Sequence, residues 1–318
     1  MGSKLFKIQR NAAETLLGGV WIGEALNPTA TPIALKISKK SSTDNFLESP
    51  RKEAEIMQAL GCMEPTGCHP NIIRCLASLT EESKCKDIVT ITAMEYARDG
   101  DLLSYSLKGQ GFSPKRNLHQ EWQLPQEAAV GKAIREILEG VQAMHDKGYA
   151  HLDISMENSL LIGNRCKICD FGMALRIPPG NVVRLDHKPG KDPYRAPESD
   201  EKGNKFDVTL ADAYSIGALA FILLTGEYAY KLPVDTDKNF CKIFHGGKTG
   251  LFLVLESYGK TLSDDAVDFI AGLMTPEVRR WSIQESILHP FVNRNINCKP
   301  RSHTDAKSLS NRIDCKQN

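Results

Sequence analysis

The chain has 318 residues, a length that suits one large domain or two modest ones. Its hydrophobic content of 41% and charged content of 25% are ordinary for a globular protein, which disfavours fibrous and disordered classes. A net charge of +1 gives no bulk attraction to nucleic acid or to a membrane surface, so neither partner is predicted.

The cysteines and the chain ends predict the cellular compartment of the protein. Nine cysteines, an odd number without a regular framework, favour a reducing environment. Cys166 and Cys169 form a C-x-x-C pair, but no second pair lies at zinc-finger spacing, so a structural role is favoured over a metal role. The ends carry no apolar signal core and no prenylation signal. We therefore expect a cytoplasmic or nuclear protein.

The first 95 residues predict a sheet with one helix. Strands are predicted by apolar and alternating runs at 5–8, 20–22, 32–38 and 88–94, with a hairpin break at Asn27-Pro28. Residues 44–60 have apolar side chains at helical spacing, with Glu and Lys between them, and predict a helix.

From residue 126 onward, helical periodicity dominates. Helices are predicted at 128–145, 212–225, 264–274 and 283–289. The longest apolar run, 216–224, is about half a membrane span and predicts a helix buried in a core rather than a membrane insertion. The residues after Val292 are polar, with six Lys or Arg against two Asp for a net +4, and predict a flexible tail over 293–318.

Two short segments carry the strongest chemical signal. His151-Leu-Asp-Ile-Ser-Met-Glu-Asn158 is followed by Asp170-Phe-Gly172, which places two acids and an amide within 18 residues. Metal-assisted phosphoryl transfer needs one carboxylate to accept a hydroxyl proton, and an amide and a second carboxylate to hold magnesium on phosphates. Either segment alone would be an ordinary polar turn. Apolar residues on both sides, and a strand-like stretch before Asp170, predict loops between buried elements.

These segments resemble the catalytic and metal-binding loops of eukaryotic protein kinases of the serine/threonine type. Other stretches match the family in its own order over residues 5–292. They are Ile33-Ala-Leu-Lys36, Glu53 on the next helix, Met94-Glu-Tyr-Ala97, Tyr194-Arg-Ala-Pro-Glu198 and Asp212-Ala-Tyr-Ser-Ile-Gly217.

The resemblance implies an α+β, two-lobed kinase fold, with a sheet-rich N-lobe over 5–95 and a helical C-lobe over 96–292. It implies ATP and Mg2+ as cofactors and proteins as substrates; the oligomeric state is not predicted.

Asp153 would be the base, Lys36 and Glu53 would hold the phosphates, and Asn158 and Asp170 would carry the metal. Glu198 is expected to pair with Arg279 or Arg280, and Asp212 to brace the catalytic loop. The implied nucleotide contacts are Gly18, Val20, Ala34, Lys36, Met94, Glu95, Ala97, Asp101 and Leu160.

Three departures from the family pattern bear on activity. Counting back from Lys36 places Gly18 at the last glycine of the phosphate-covering loop, with Ala13 and Thr15 where glycines would let backbone amides approach phosphate.

Leu152 replaces an Arg that receives an activation-loop phosphate, and residues 172–193 contain no Ser, Thr or Tyr. This predicts a kinase that is not switched by phosphorylation of that loop.

The third departure concerns a lysine. Ser155 stands where the family has a Lys that touches the γ-phosphate, and Lys191 stands where it has a Thr. Because the resemblance places these positions side by side, we expect that they are exchanged and that Lys191 supplies the ammonium group.

Three functions remain open. The leading hypothesis is an ATP-dependent serine/threonine protein kinase. The altered glycine loop and Ser155 favour a pseudokinase that acts as a scaffold and binds nucleotide weakly or not at all. A small-molecule or lipid kinase is the third, although Ala196-Pro-Glu198 and the helices after it favour protein substrates.

Overall fold

The structure is a computed structural model that describes residues 6–15, 18–26, 31–40, 50–64, 66–82, 87–107 and 126–293. Predictions for Leu5, for the Asn27-Pro28 break, for 44–49 and for the tail over 294–318 lie outside these residues. The strands that build the main sheet are β1 (Phe6–Thr15), β2 (Gly18–Ala25), β3 (Pro32–Lys40), β4 (Cys75–Glu82) and β5 (Ile88–Glu95).

The main sheet is antiparallel, with the strand order β1-β2-β3-β5-β4. Alternation along β3 sorts its side chains, because successive residues on a strand point to opposite faces. Ile33 and Leu35 are buried and pack with Ala93 of β5 on one face. The other face carries Ala34 and Lys36. The predicted strands lie in this sheet, whereas β4 was not predicted.

The helix α1 (Pro50–Ala59) contacts β3, β4 and β5. Ile56 and Met57 are buried on its inner side, and its first turn carries Glu53, also buried. The helical prediction is confirmed for the part of 44–60 that the structure describes.

The rest of the described chain is mostly helical. Its helices are α2 (Leu102–Leu107), α3 (Gln126–Asp146), α4 (Val208–Thr225), α5 (Lys238–Ser257), α6 (Asp264–Leu273), α7 (Ile283–Ile287) and α8 (Pro290–Asn293). Short strand pairs lie between α3 and α4: β6 (Tyr149–Ala150) with β9 (Leu175–Arg176), β7 (Ser159–Ile162) with β8 (Arg165–Ile168), and β10 (Val182–Arg184) with β11 (Lys205–Asp207).

The helix α4 forms the centre of this part and packs against α3 and α6. It begins earlier than predicted, because the Asp207 carboxylate accepts hydrogen bonds from the backbone N–H groups of Thr209 and Leu210 and caps it. By length and composition α4 could cross a membrane, but 89% of it is buried inside the protein. The core therefore accounts for its apolar sequence. Sequence analysis did not predict α5 or α2.

Candidate active site

Sheet register places four of the predicted nucleotide residues on one face. Val20 lies opposite Lys36 in the β2–β3 pair, and Ala34 lies opposite Met94 in the β3–β5 pair. Directly opposed residues of an antiparallel pair share a face, and so do residues two apart on one strand. These four side chains therefore line the same side of the sheet, away from the buried Ile33 and Leu35.

Lys36 is the centre of an ion cluster that joins the sheet to the helical part. Its Nζ lies 2.8 Å and 3.0 Å from the two carboxylate oxygens of Glu53, and 2.8 Å from Oδ1 of Asp170. Burial alone would lower the pKa of Lys36, but the two carboxylates raise it above its ordinary value. Burial would raise the pKa of Asp170, yet the ammonium of Lys36 lowers it. The cluster therefore holds both partners in their charged forms.

The loop after β6 is held in place by a buried carboxylate of α4. Asp212 of α4 is fully buried and accepts hydrogen bonds from the backbone N–H groups of His151, at 2.9 Å, and Leu152, at 2.7 Å. It also contacts Nε2 of His145 at 2.8 Å. Leu152 has a φ of 60°, an uncommon conformation for a leucine that these bonds help to maintain.

The two loops that resemble kinase motifs are joined by His151. Its Nδ1 accepts a hydrogen bond from the Asp153 N–H at 3.2 Å, so its Nε2 carries the proton and donates to the Cys169 carbonyl at 3.1 Å. Its ring lies 5.5 Å from the fully buried ring of Phe171. These contacts fix the backbone on both sides of Asp170, whose φ is 64°.

Asp153 has one oxygen engaged and one without a partner. Its Oδ2 accepts hydrogen bonds from Asn158 Nδ2 at 2.6 Å and from Lys191 Nζ at 3.0 Å. Its Oδ1 is shielded from solvent and has no hydrogen-bond partner within the described part of the chain. Lys191 Nζ also donates to Ser155 Oγ at 3.0 Å. The predicted proximity of positions 155 and 191 is therefore present, and Lys191 Nζ contacts both Asp153 and Ser155.

The segment before Tyr194 is held by one buried guanidinium. Arg195 is bonded to the carboxylates of Asp192 and Asp200, each at 2.7 Å, and to the backbone carbonyls of Pro189, at 2.8 Å, and Gly190, at 2.6 Å. Sequence reasoning assigned no role to Arg195. Its only signal was its place between two matched residues of the Tyr194–Glu198 motif.

The end of this segment is tied to the core by an ion pair. Arg280, whose side chain is fully buried, makes a two-pronged contact with the carboxylate of Glu198. It also donates to the carbonyls of Leu210 and Thr275, and its guanidinium lies 4.7 Å from the centre of the Tyr214 ring. The expected pairing of Glu198 therefore falls on Arg280 rather than Arg279.

Two predicted nucleotide residues already have structural partners. Asp101 caps α2, because its carboxylate accepts from the Ser104 N–H at 2.7 Å and the Ser104 hydroxyl at 2.9 Å. Glu95 accepts from Lys167 Nζ at 2.6 Å and from the Arg74 N–H at 2.8 Å. The Asp101 carboxylate would have to release Ser104 to reach a ribose, so its role stays a prediction.

Three predicted contacts depend on backbone placement. Ala97 directly precedes the turn that leads to α2, where its carbonyl accepts from the Gly100 N–H at 3.2 Å. Leu160 lies on β7, bridged to Asp101. Gly18 opens β2, where an added Cβ would lie 2.1 Å from the Ile37 carbonyl oxygen. Close strand packing alone therefore requires glycine at position 18, so that glycine is not by itself evidence of phosphate binding.

The donor chemistry fits the groups that the resemblance implies. Asn158 and Asp170 offer an amide and a carboxylate, and Mg2+ prefers such hard oxygen ligands, usually with few protein donors beside phosphates. Lys36 offers a cation to phosphate oxygens. The Asp170 side chain is 37% exposed, so the carboxylate facing Lys36 remains open to a ligand.

Comparison with known proteins indicates the family of this chain. A family model described as the protein kinase domain matches residues 22–292. The chain is 25% identical over 290 residues to a calcium/calmodulin-dependent protein kinase type 1 of Macrobrachium nipponense, covering 90% of this chain and 74% of that protein.

Two further relatives are a myosin light chain kinase 2 from skeletal and cardiac muscle of Rattus norvegicus and a mitogen-activated protein kinase kinase kinase 20 of Arabidopsis thaliana. The first is 25% identical over 96% of this chain and 46% of its own length. The second is 27% identical over 82% of this chain and 70% of its own length. With the family model matched over most of the described residues, the chain belongs to the protein kinase family.

Proposed function

We propose that this protein transfers the γ-phosphoryl group of ATP to Ser or Thr hydroxyls of protein substrates, with magnesium. The observation that carries the proposal is the hydrogen bonding of the Asp153 carboxylate. One carboxylate oxygen is held by Asn158 and Lys191, and the other, Oδ1, has no partner among the described residues. A carboxylate oriented in this way is suited to accept the proton of a substrate hydroxyl.

The surrounding charges support phosphate binding. Lys36 presents an ammonium on the sheet face that bears Val20, Ala34 and Met94, and Glu53 holds it in position. Asn158 and Asp170 would hold the metal, which, when bound, would neutralise charge on the transferred phosphoryl group. Preorganised charges of this kind are a large source of rate enhancement, because they need no reorganisation during the reaction.

Lys191 supports an exchange of two residues at this site. Its ammonium contacts both Asp153 Oδ2 and Ser155 Oγ, which is where the missing Lys of position 155 would act. We propose that Lys191 stabilises the transferred phosphate and orients Asp153, and that the protein needs no phosphate on residues 172–193.

The rival is a pseudokinase, favoured by Ala13 and Thr15 in β1 where glycines would approach phosphate. Phosphate transfer from labelled ATP with magnesium to a mixed Ser/Thr/Tyr peptide library separates the two. We expect transfer to Ser and Thr that is lost in Asp153→Asn and retained in Asp186→Asn, which removes an exposed carboxylate of residues 172–193.

Each outcome of this experiment bears on a different functional hypothesis. No transfer by the unmodified protein would contradict the proposal, and a magnesium-dependent thermal shift with ATP would then support a nucleotide-binding pseudokinase. Transfer that survives in Asp153→Asn would show that another group is the base. Transfer to a lipid or a small molecule, but to no peptide, would support the third hypothesis.

A further inference from the structure

A group of three potential metal ligands lies outside the active site, at the start of α5. Asp235, Cys241 and His245 each offer one ligand atom, and these three atoms all lie within 4.8 Å of one another. From this geometry we propose a zinc site. It is independent of phosphoryl transfer, and no step of the proposed reaction uses it.

Local structure brings the three side chains together. Cys241 and His245 are four residues apart on a helix, which places them on one face. Asp235 lies in a turn closed by a hydrogen bond from the Asp237 N–H to the Val234 carbonyl at 2.9 Å. The Asp237 carboxylate caps α5, so this turn leads directly into the helix that carries the other two ligands.

One distance between ligand atoms matches that of a tetrahedral zinc site, and all three ligand atoms lie within 4.8 Å of one another. Asp235 Oδ1 and His245 Nε2 are 3.3 Å apart. Zinc bonds of about 2.0–2.3 Å imply about 3.3–3.8 Å between neighbouring ligand atoms of a tetrahedron. The Cys241 thiol donates to the Asp235 carbonyl at 3.1 Å, so a rotation of that side chain would complete the triad.

The ligand types select the metal. Thiolate and imidazole suit zinc, whereas magnesium and calcium prefer oxygen ligands alone. On binding, the metal takes the place of the Cys241 thiol proton, which leaves to solvent, and no electron is transferred. The thiolate and the carboxylate then offset the two charges of the ion.

Exposure and packing also suit a site with an open position. The Asp235 and His245 side chains are 85% and 57% exposed, so an ion and a fourth ligand, water, have access. The His245 ring packs edge-on against the ring of Phe244, at 5.3 Å between centres, which limits its orientation. An exposed Asp–His pair alone would be an ordinary surface contact; the cysteine distinguishes this group.

Cobalt titration of the full chain, stripped of metal with a chelator, tests the site. We expect a thiolate-to-cobalt absorption band in the near ultraviolet that zinc abolishes, because zinc binds more tightly than cobalt. Zinc alone should also raise the melting temperature, and magnesium alone should not. Cys241→Ser and His245→Gln should each lose the band and the zinc-dependent stabilisation.

Matched variants keep the test specific. Asp268→Asn removes a carboxylate that also contacts a histidine, His289, at 3.3 Å but lies in no metal-ligand group among the described residues, so the band should persist. The double variant Cys298→Ser/Cys315→Ser, which changes two tail cysteines, should also retain it. Absence of the band in the unmodified protein, or its persistence in Cys241→Ser, would overturn the proposal.

Discussion

At the scale of single residues, the proposed exchange between positions 155 and 191 concerns the placement of one ammonium group. The sequence has Ser at 155 and Lys at 191, and the fold brings the Lys191 ammonium to 3.0 Å from both Ser155 Oγ and Asp153 Oδ2. A charge can therefore reach the same place from either of two loops. What matters for the chemistry is the position of the ammonium group, and the segment that supplies it can differ.

The exchange predicts the behaviour of Lys191 variants. Lys191→Ala should lower the turnover number about tenfold to a hundredfold, because a charge-assisted hydrogen bond is worth roughly 1.5–3 kcal/mol. The double variant Ser155→Lys/Lys191→Thr should recover part of that loss, since it restores the ammonium from the other loop. Steady-state kinetics with saturating ATP checks both.

Lys202→Ala, which removes an exposed lysine, serves as the control and should leave turnover unchanged. An unchanged turnover number in Lys191→Ala would show that Lys191 does not contribute to catalysis. Failure of the double variant alone would indicate that Lys191 acts from a direction that position 155 cannot reproduce.

At the scale of elements, α4 owes its place to close packing as well as to apolar composition. An added Cβ at Gly217 would lie 2.7 Å from Leu273 Cβ and 3.0 Å from Met274 Cγ, so α4 and its neighbour α6 approach closely at this point. Gly246, on the exposed side of α5, would meet nothing within 4 Å. The two glycines have opposite consequences, although both lie in helices.

This contrast gives a matched pair of variants. Gly217→Ala should lower the free energy of unfolding by up to about 2 kcal/mol, because overpacking of about 1–3 kcal/mol exceeds the helix-propensity gain of about 1 kcal/mol. Gly246→Ala meets no neighbouring atom and should not lower the free energy of unfolding; because Gly246 directly precedes the non-helical Gly247, its gain should stay below the value of about 1 kcal/mol for a helix interior. Denaturant unfolding measures both, and a stabilising Gly217→Ala would show that the contact between α4 and α6 relaxes without cost.

At the scale of the whole molecule, the ion cluster around Lys36 connects the two parts of the fold. Lys36 joins Glu53 of α1 to Asp170 of the loop after β8, across the two parts of the fold. Arg195 holds the segment before it through the Asp192 carboxylate and the backbone carbonyls of Pro189 and Gly190. Leu152, in the place of a phosphate-receiving Arg, is buried.

These contacts predict independence from phosphorylation of residues 172–193. Phosphatase treatment of purified, active protein should leave its turnover number unchanged, because Leu152 offers no cation to a phosphate and residues 172–193 contain no Ser, Thr or Tyr. Mass spectrometry would verify that phosphate has been removed. A loss of activity would mean that a phosphosite elsewhere in the chain is required. The predicted independence from phosphorylation would then apply to residues 172–193 alone.

Hydrophobic periodicity predicted the two-part architecture and most of the described helices, and the resemblance to protein kinases predicted the residues of the ion cluster. Hydrophobic periodicity is a local property, and it located α3, α4 and α6 to within a few residues. It did not indicate β4 or α5. The run over β4 mixes polar and apolar residues, and α5 combines several polar residues with a non-helical conformation at Gly247. Pairing with β5 and packing against α6 stabilise these elements, and both are tertiary effects.

The sequence alone determined which chemical groups are present and in what order, since catalytic motifs are short and contiguous. The tertiary structure decided which groups meet: Lys36 with an acid 134 residues away, Glu198 with Arg280, and Lys191 with Asp153. It also assigned Asp101 to a helix cap and brought Asp235, Cys241 and His245 together. The physical reason is that charges and hydrogen bonds act over a few ångströms in space, and only folding converts separation along the chain into such distances.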